Sequence, residues 1–236
     1  DVIRTALTNE WFSYDGEYYQ IPRTTLRPQP RSDGAEILEQ MYCAWGSTQT
    51  IPIAAETGLK ALFIPQTTWA EYAEQIKLFG DLRIGHGFAP ARPTIAFWVY
   101  CAATEEKAFE GASKYLPAYA NSALRHYELG SDHFGKTKGY EYYAAGSQAI
   151  REAGDSFNMG AMYMNNQVWG TPEMCIDKLE QINQLMGPDH FVAVMKYGGM
   201  PYDTAEASMR LFASEVLPVA QQMKEKPLPQ SSAVAG

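Results

Sequence analysis

Apolar and polar positions along the chain form a repeating rhythm of a short apolar run followed by a stretch with helical spacing. Residues 39–46, EQMYCAWG, read as a strand, and TIPIAAETG (50–58) follows as a short helix. KALFIPQ (60–66) predicts the next strand. In TTWAEYAEQIKLFGDL, Trp69, Tyr72, Ile76 and Phe79 recur at spacings of three and four, placing them on one face of a helix that Thr68 can cap. TIAFWVYCA (94–102) is apolar without alternation, as a strand covered on both faces requires. Residues 104–128 predict a long helix with Thr104 as its cap, Glu105 and Glu106 at its positive end, and a break at Pro117. Thr171, Pro172 and Glu173 mark another helix start in WGTPEMCIDKLEQINQLMG. HFVAVMKYGGM (190–200) predicts a strand running into a double glycine. AEASMRLFASEVLPVA (205–220) predicts a last helix with Met209, Phe212, Val216 and Leu217 on one face.

Outside this rhythm, residues 1–9 read as the end of a helix, and NEWFSYDGEYYQI as an aromatic hairpin turning at Tyr14-Asp15-Gly16-Glu17. PRTTLRPQPRSDG (22–34) reads as an extended surface connection. Residues 129–168 carry scattered glycines, aromatics and methionines, which predicts an irregular lid-like insertion. Four strand-then-helix units remain, at 39–58, 60–80, 94–128 and 190–220. Such alternation implies an α/β fold with a parallel sheet and right-handed crossovers. Four units make half of a (β/α)8 barrel, or an open doubly wound sheet. We expect one domain over residues 1–224 and a disordered tail over 225–236.

The composition narrows the chemistry. A chain of 236 residues with 46% hydrophobic and 19% charged residues can bury a sizeable core. A net charge of -8 without a basic run argues against nucleic acid or an anionic membrane surface, and no apolar run reaches the length of a membrane span. Cys43, Cys101 and Cys175 are far apart and odd in number, which suits a reducing cytoplasm. The four histidines, His86, His126, His133 and His190, show no metal-binding spacing, so no metal is expected. No nucleophile elbow or paired acid and base is evident, and the catalytic residue is left unassigned.

Two strand ends draw attention, because parallel α/β folds bind ligands at the carboxyl ends of their strands. In the first, Gly46-Ser47-Thr48-Gln49 precedes a helix starting near Thr50, and Pro52 fits only its first turn. Hydroxyls and free N–H groups there suit an anion, although the same residues also make an ordinary turn and cap. In the second, Gly198, Gly199 and Met200 end a strand, where glycines let backbone approach a flat ligand or simply make a turn. His126 and Tyr127 end the long helix before the irregular segment and are candidate pocket residues. Phe157, Met159, Met162, Tyr163 and Met164 give that segment an apolar character suited to an aldehyde, alkane or terpene.

Several segments, in order, resemble the luciferase-like, flavin-dependent monooxygenases. They are YDGEYYQIPRTTLRPQP, WGSTQT with the following AAETGLKALFI, WGTPEMCIDKL and SMRLFASEVLPV. The resemblance implies a (β/α)8 barrel of which this chain is the carboxyl half, beginning after the fourth strand; the start at Asp1 in mid-helix agrees with a longer parent. It implies that Ser47 and Thr50 contact the phosphate of reduced FMN and that Phe63 and Ile64 lie beside the isoalloxazine ring. Gly46 stands where bacterial luciferase carries an acidic residue. The family's catalytic histidine and phosphate-binding arginines lie in the missing half. The resemblance also implies a flavin reductase as supplier of reduced flavin, and a deazaflavin as the alternative cofactor. The parent is thus expected to oxygenate a small apolar substrate with O2, the chain alone to be inactive, and a non-catalytic flavin-binding or assembly subunit is the alternative. A half barrel leaves open sheet edges and an uncovered core, so a homo-oligomer or a complex with the missing half is expected.

Overall fold

The computed structural model describes residues 1–31, 34–154 and 158–226. A short helix α1 (Val2–Thr8) leads into the antiparallel hairpin β1 (Phe12–Asp15) and β2 (Gln20–Thr24). Helix α2 (Gly34–Glu39) begins at the last residue of the expected connection and runs into the first residue of the expected strand. The first strand of the main sheet, β3 (Tyr42–Ala44), therefore starts three residues later than expected. Then come α3 (Thr50–Thr57), β4 (Lys60–Phe63), α4 (Trp69–Gly85), β5 (Thr94–Cys101) and α5 (Glu105–His126). After a 3-10 turn at His133–Lys136, the chain forms α6 (Glu141–Ala153), α7 (Met159–Asn165), β6 (Val168–Gly170), α8 (Pro172–Met186), β7 (His190–Val194) and α9 (Tyr202–Leu211). A π-helical stretch (Phe212–Val216) joins α9 to α10 (Leu217–Ala220).

Five parallel strands, one more than expected, make the main sheet. β6 was missed because it is three residues long, too short to carry a pattern; it forms a fifth unit with α8. β5 is central. Thr94 and Ile95 pair with β4 on one edge, Thr94–Trp98 pair with β7 on the other, and Val99–Cys101 pair with β6. Its alternation sorts two cores. Ile95, Phe97, Val99 and Cys101 pack with residues of α3, α4, α8 and the π-helical stretch. Trp98 packs with residues of α5, α7 and α9. Both faces of β5 are therefore covered. Among the described residues, β3, β6 and β7 each pair with one strand of this sheet and leave their other edge unpaired.

Helix caps follow the sequence. The Thr68 hydroxyl accepts from Glu71 N–H in a capping box, and Thr104 and Thr171 cap α5 and α8. Three expectations fail for local reasons. The helix does not break at Pro117, whose ring packs against Gly160 of α7; a Cβ on Gly160 would lie 2.6 Å from the proline Cβ. Residues 129–168 are not irregular but largely helical, with Tyr143, Ser147 and Ile150 turned inward at spacings of four and three. At the end of the chain Ala205, Ser208, Phe212 and Val216 face the core, while Met209 and Leu217 are exposed. Ser208 earns its inward place because its hydroxyl accepts the Cys101 N–H at 2.9 Å. The expected tail falls mostly on residues 227–236, outside those described. Its first two residues are held: Glu225 pairs with Arg92 at 3.4 Å, and Lys226 donates to the Leu185 carbonyl at 2.9 Å.

Candidate functional site

The β3–α3 loop is anchored by Trp45. Its buried ring stacks on Phe63 at 5.6 Å, and its Nε1–H donates to Gln75 at 3.1 Å. Beyond this anchor the chain turns sharply. The N–H groups of Thr50 and Ile51 donate to the carbonyls of Ser47 and Thr48, both at 3.2 Å, which winds α3 from its first residue. The turn brings the Ser47 and Thr50 hydroxyls to 3.4 Å from each other, both half-buried. Among the described residues, the N–H groups of Ser47, Thr48 and Gln49 have no partner. Pro52 is the third helical residue, where its missing N–H costs nothing. Two hydroxyls, three free N–H groups and the positive end of a helix dipole thus cluster at the start of α3, a donor set that fits an anion such as a phosphate ester.

Beside this loop lies a cavity of about 980 Å³, within the range of small-molecule and cofactor sites. Ile64 and Gln66, following β4, and Trp98 of β5 line it from the sheet. Helices α5, α6 and α7 and the 3-10 turn supply the remaining walls. The loop adjoins the cavity at Gly46: a Cβ there would sit 2.8 Å from the Tyr143 hydroxyl and 3.7 Å from Gln66 Nε2, both belonging to the lining. Eight of the nineteen lining residues are Tyr, Trp or Phe, against 13% of the chain, so aromatic residues are enriched here as well as in the core, which holds Trp45, Phe63, Tyr72, Phe79 and Phe97.

Three rings form one wall. Trp98 lies 4.6 Å from Tyr119 and 5.8 Å from Tyr163, and Tyr119 lies 5.6 Å from Tyr163. Burial is the main cause that pushes the phenols of Tyr119, Tyr143 and Tyr163 above their ordinary range. At neutral pH they are hydrogen-bond donors, not bases. Two buried polar atoms in this wall, Trp98 Nε1 and the Tyr163 hydroxyl, have no hydrogen-bond partner among the described residues. Each unpaired donor costs about 1–3 kcal/mol. The wall is framed by Gln167, wholly buried, whose Oε1 accepts the Trp98 N–H at 3.0 Å and whose Nε2 donates to the Pro65 carbonyl at 3.4 Å.

The candidate residues divide. Ile64, His126 and Tyr127 line the cavity, and Gly46, Ser47 and Thr50 adjoin it. Phe63 turns its ring the other way, stacked on Tyr72 at 4.6 Å and 1% exposed, so its side chain belongs to the core. The second strand end is filled by protein. A Cβ on Gly198 would lie 2.2 Å from the Tyr115 carbonyl oxygen, and Met200 is buried with Trp98 and Tyr197. Gly199 meets nothing, and none of residues 198–200 lines the cavity. Met159, Met162 and Tyr163 line it, Met164 packs in the core, and Phe157 lies outside the described residues. Sequence reasoning missed Gln66, Trp98, Tyr119 and Tyr143. The available signal was Trp98 and Tyr100 alternating with Ile95, Phe97 and Val99 near a strand's carboxyl end.

A family model for luciferase-like monooxygenases matches residues 1–190. The chain belongs to this family. No curated protein matches it. Solved structures similar to it include the EDTA monooxygenase of Chelativorans sp. BNC1, with 16% identity and a TM-score of 0.64, covering 94% of this chain and 58% of that one. Another is the oxygenating constituent of 3,6-diketocamphane monooxygenase from the CAM plasmid of Pseudomonas putida, in complex with FMN, with 15% identity, a TM-score of 0.60 and coverage of 96% and 61%. A third is the coenzyme F420 dependent tetrahydromethanopterin reductase of Methanopyrus kandleri, with 14% identity, a TM-score of 0.59 and coverage of 92% and 60%. At these identities the likeness is one of fold: part of the (β/α)8 barrel of the luciferase-like proteins. The chain spans about three fifths of the length of these relatives. Among the described residues, no helix is long and apolar enough to cross a membrane.

Proposed function

We propose that this chain carries a flavin site of a luciferase-like monooxygenase that oxygenates a small organic substrate. The observation that carries the reading is that the loop with the paired hydroxyls of Ser47 and Thr50 adjoins the aromatic cavity at Gly46. The loop suits the phosphate of FMN, and the cavity beginning at Ile64 and Gln66 suits its ring. Reduced flavin, when bound, supplies the electrons that activate dioxygen. The residues of this chain bind, orient and exclude water. Ser47 and Thr50 donate to the phosphate, and Ile64 gives the ring an apolar contact. The aromatic wall shields one side of the ring from water, and its neutral phenols do not take protons.

Because proteins of similar fold include both an FMN complex and a coenzyme F420 dependent reductase, a deazaflavin is the alternative cofactor. A flavin reductase supplies the reduced cofactor in this reading. The cavity is open on one side, where Tyr127 is 64% and Met162 57% exposed. An open site leaks water, so turnover needs a cover from the remainder of a longer barrel or from a second copy, and the chain alone binds without oxygenating. The test is titration of the chain with FMN, riboflavin and a deazaflavin cofactor, followed by an assay for oxygenation with chemically reduced flavin. Tighter binding of FMN than of riboflavin supports the phosphate site. Preference for the deazaflavin moves the cofactor assignment. Oxygenation by the chain alone contradicts the need for a cover.

A further inference from the structure

We infer that the amino-terminal end of the sheet carries a second binding site, one for a small phosphate ester. Lys60 opens β4, and Arg92 and Asp189 precede β5 and β7, whereas Ser47 and Ile64 follow β3 and β4. In these parallel strands the two places lie at opposite ends, so the inference does not rest on the flavin reading. A cavity of about 620 Å³ opens at this second end. The chain's net charge is -8, yet four cations in the lining, Arg4, Lys60, Arg83 and Arg92, outnumber its two carboxylates, Glu39 and Asp189.

Arg83 distinguishes this end from a patch of solvated charge. It is 9% exposed. Its Nε donates to the Ala89 carbonyl at 2.7 Å and its Nη1 to the Leu59 carbonyl at 2.9 Å, and both partners belong to the lining. The remaining nitrogen, Nη2, has no acceptor among the described residues, but it is not one of the unpaired atoms closed to solvent. A ligand in the cavity can therefore reach it. Among the described residues, no carboxylate pairs with Arg4, Lys60 or Arg83. Arg92 meets only the exposed Glu225, at 3.4 Å, and Asp189 is drawn to His190 at 2.9 Å. A buried cation without a counter-ion is destabilising, and an anion in the cavity offsets that. A phosphomonoester carries about -1.5 to -2 at pH 7, which matches the positive surplus, and guanidinium groups suit phosphate oxygens. Leu38, Leu59, Phe88 and Pro90 add apolar surface to the lining for the esterifying group.

The test is calorimetric titration with phenyl phosphate, benzoate, phenol and inorganic phosphate, without flavin. It is run on the unaltered chain, on Ser47→Ala, Thr50→Ala, and on Arg4→Gln, Lys60→Gln. Phenyl phosphate should bind the unaltered chain about tenfold or more tighter than each of the other three. Arg4→Gln, Lys60→Gln should weaken it about tenfold, while Ser47→Ala, Thr50→Ala leaves binding at this end in place. Arg83→Lys, which keeps the charge and loses the fork, should weaken it about threefold or more. Arg83 also holds two carbonyls, so that variant is read only once a melt shows it folded. Arg4 is exposed and Lys60 half-buried, outside the core, so their variant decides the question without it. Phenol binding as tightly as phenyl phosphate overturns the inference, as does an affinity unmoved by the Arg4 and Lys60 changes. Loss of phenyl phosphate binding in Ser47→Ala, Thr50→Ala places the ester in the β3–α3 loop and overturns it too. Benzoate or inorganic phosphate binding equally well overturns the ligand class. Failure of FMN to bind would sink the flavin reading alone.

Discussion

Two strand ends in this chain carry nearly the same sequence signature and do opposite things. After β3, Gly46 precedes a polar turn; after β7, Gly198 and Gly199 precede Met200 and Pro201. At Gly46 the absent Cβ leaves room for the Tyr143 hydroxyl and Gln66, beside free N–H groups and paired hydroxyls. At Gly198 the absent Cβ lets backbone meet backbone, the Tyr115 carbonyl of α5, and Met200 seals the contact in the core. A glycine at a strand end signals close approach. What approaches, ligand or helix, is decided by whether polar groups around it are left without partners.

The contrast is most easily broken at Gly198. Its φ is +58° and a Cβ would meet backbone, so Gly198→Ala costs about 3 kcal/mol from strain and overpacking together. A thermal melt should show Tm lower by about 10 °C, with FMN affinity of the folded fraction unchanged. An unaltered Tm would show that this end is not packed as described. Gln167→Ala comes next. It strips the partner from the Trp98 N–H and the Pro65 carbonyl, for a loss of about 2 kcal/mol by denaturant titration. It should also loosen the cavity wall and weaken aromatic ligands, which Gly198→Ala should not. Gly46→Ala is milder. Its new Cβ meets only the flexible end of Tyr143, so stability should fall by less than about 1 kcal/mol while FMN binding weakens about fivefold. A reversed pattern, with stability lost and binding kept, would make Gly46 a packing glycine like Gly198.

The smallest effect at neutral pH concerns Tyr72, which ties the strand end at Ile64 by donating to its carbonyl at 3.3 Å. Burial is the main cause that pushes its phenol up to about 12, from 10.0. A pKa raised by folding contributes stability that is full below pH 10 and is lost as pH rises toward 12. Alkaline titration should therefore show destabilisation in that window, absent in Tyr72→Phe. Tyr119, Tyr143 and Tyr163 are likewise raised by burial, so their titration contributes no change in ligand affinity between pH 6 and 9.

Much of the frame was legible in the sequence, for identifiable reasons. Side chains that act on their own helix declare themselves locally: Thr68 with Glu71, Thr104, and Thr171 with Pro172. The continuous apolar run 94–102 revealed the central strand because both its faces are covered. The start of α3 near Thr50 followed from Pro52. What was hidden depends on partners distant in sequence. Pro117 stays helical only because α7 offers Gly160. Ser208 is buried only because Cys101 has a free N–H. β6 exists only through its pairing with β5. The same rule divides the site. The phosphate-suited loop is local and was visible, whereas the aromatic wall assembles Trp98, Tyr119 and Tyr163 from β5, α5 and α7, and no window of sequence contains it.

The most direct test of the account is a calorimetric titration of the chain with FMN and with riboflavin, repeated on Ser47→Ala, Thr50→Ala. The account predicts that FMN binds about tenfold or more tighter than riboflavin, and that the double change removes this difference while riboflavin binding persists. Equal affinities for the two compounds in the unaltered chain, or a phosphate preference that survives the double change, would contradict the claim that the β3–α3 loop holds the cofactor's phosphate.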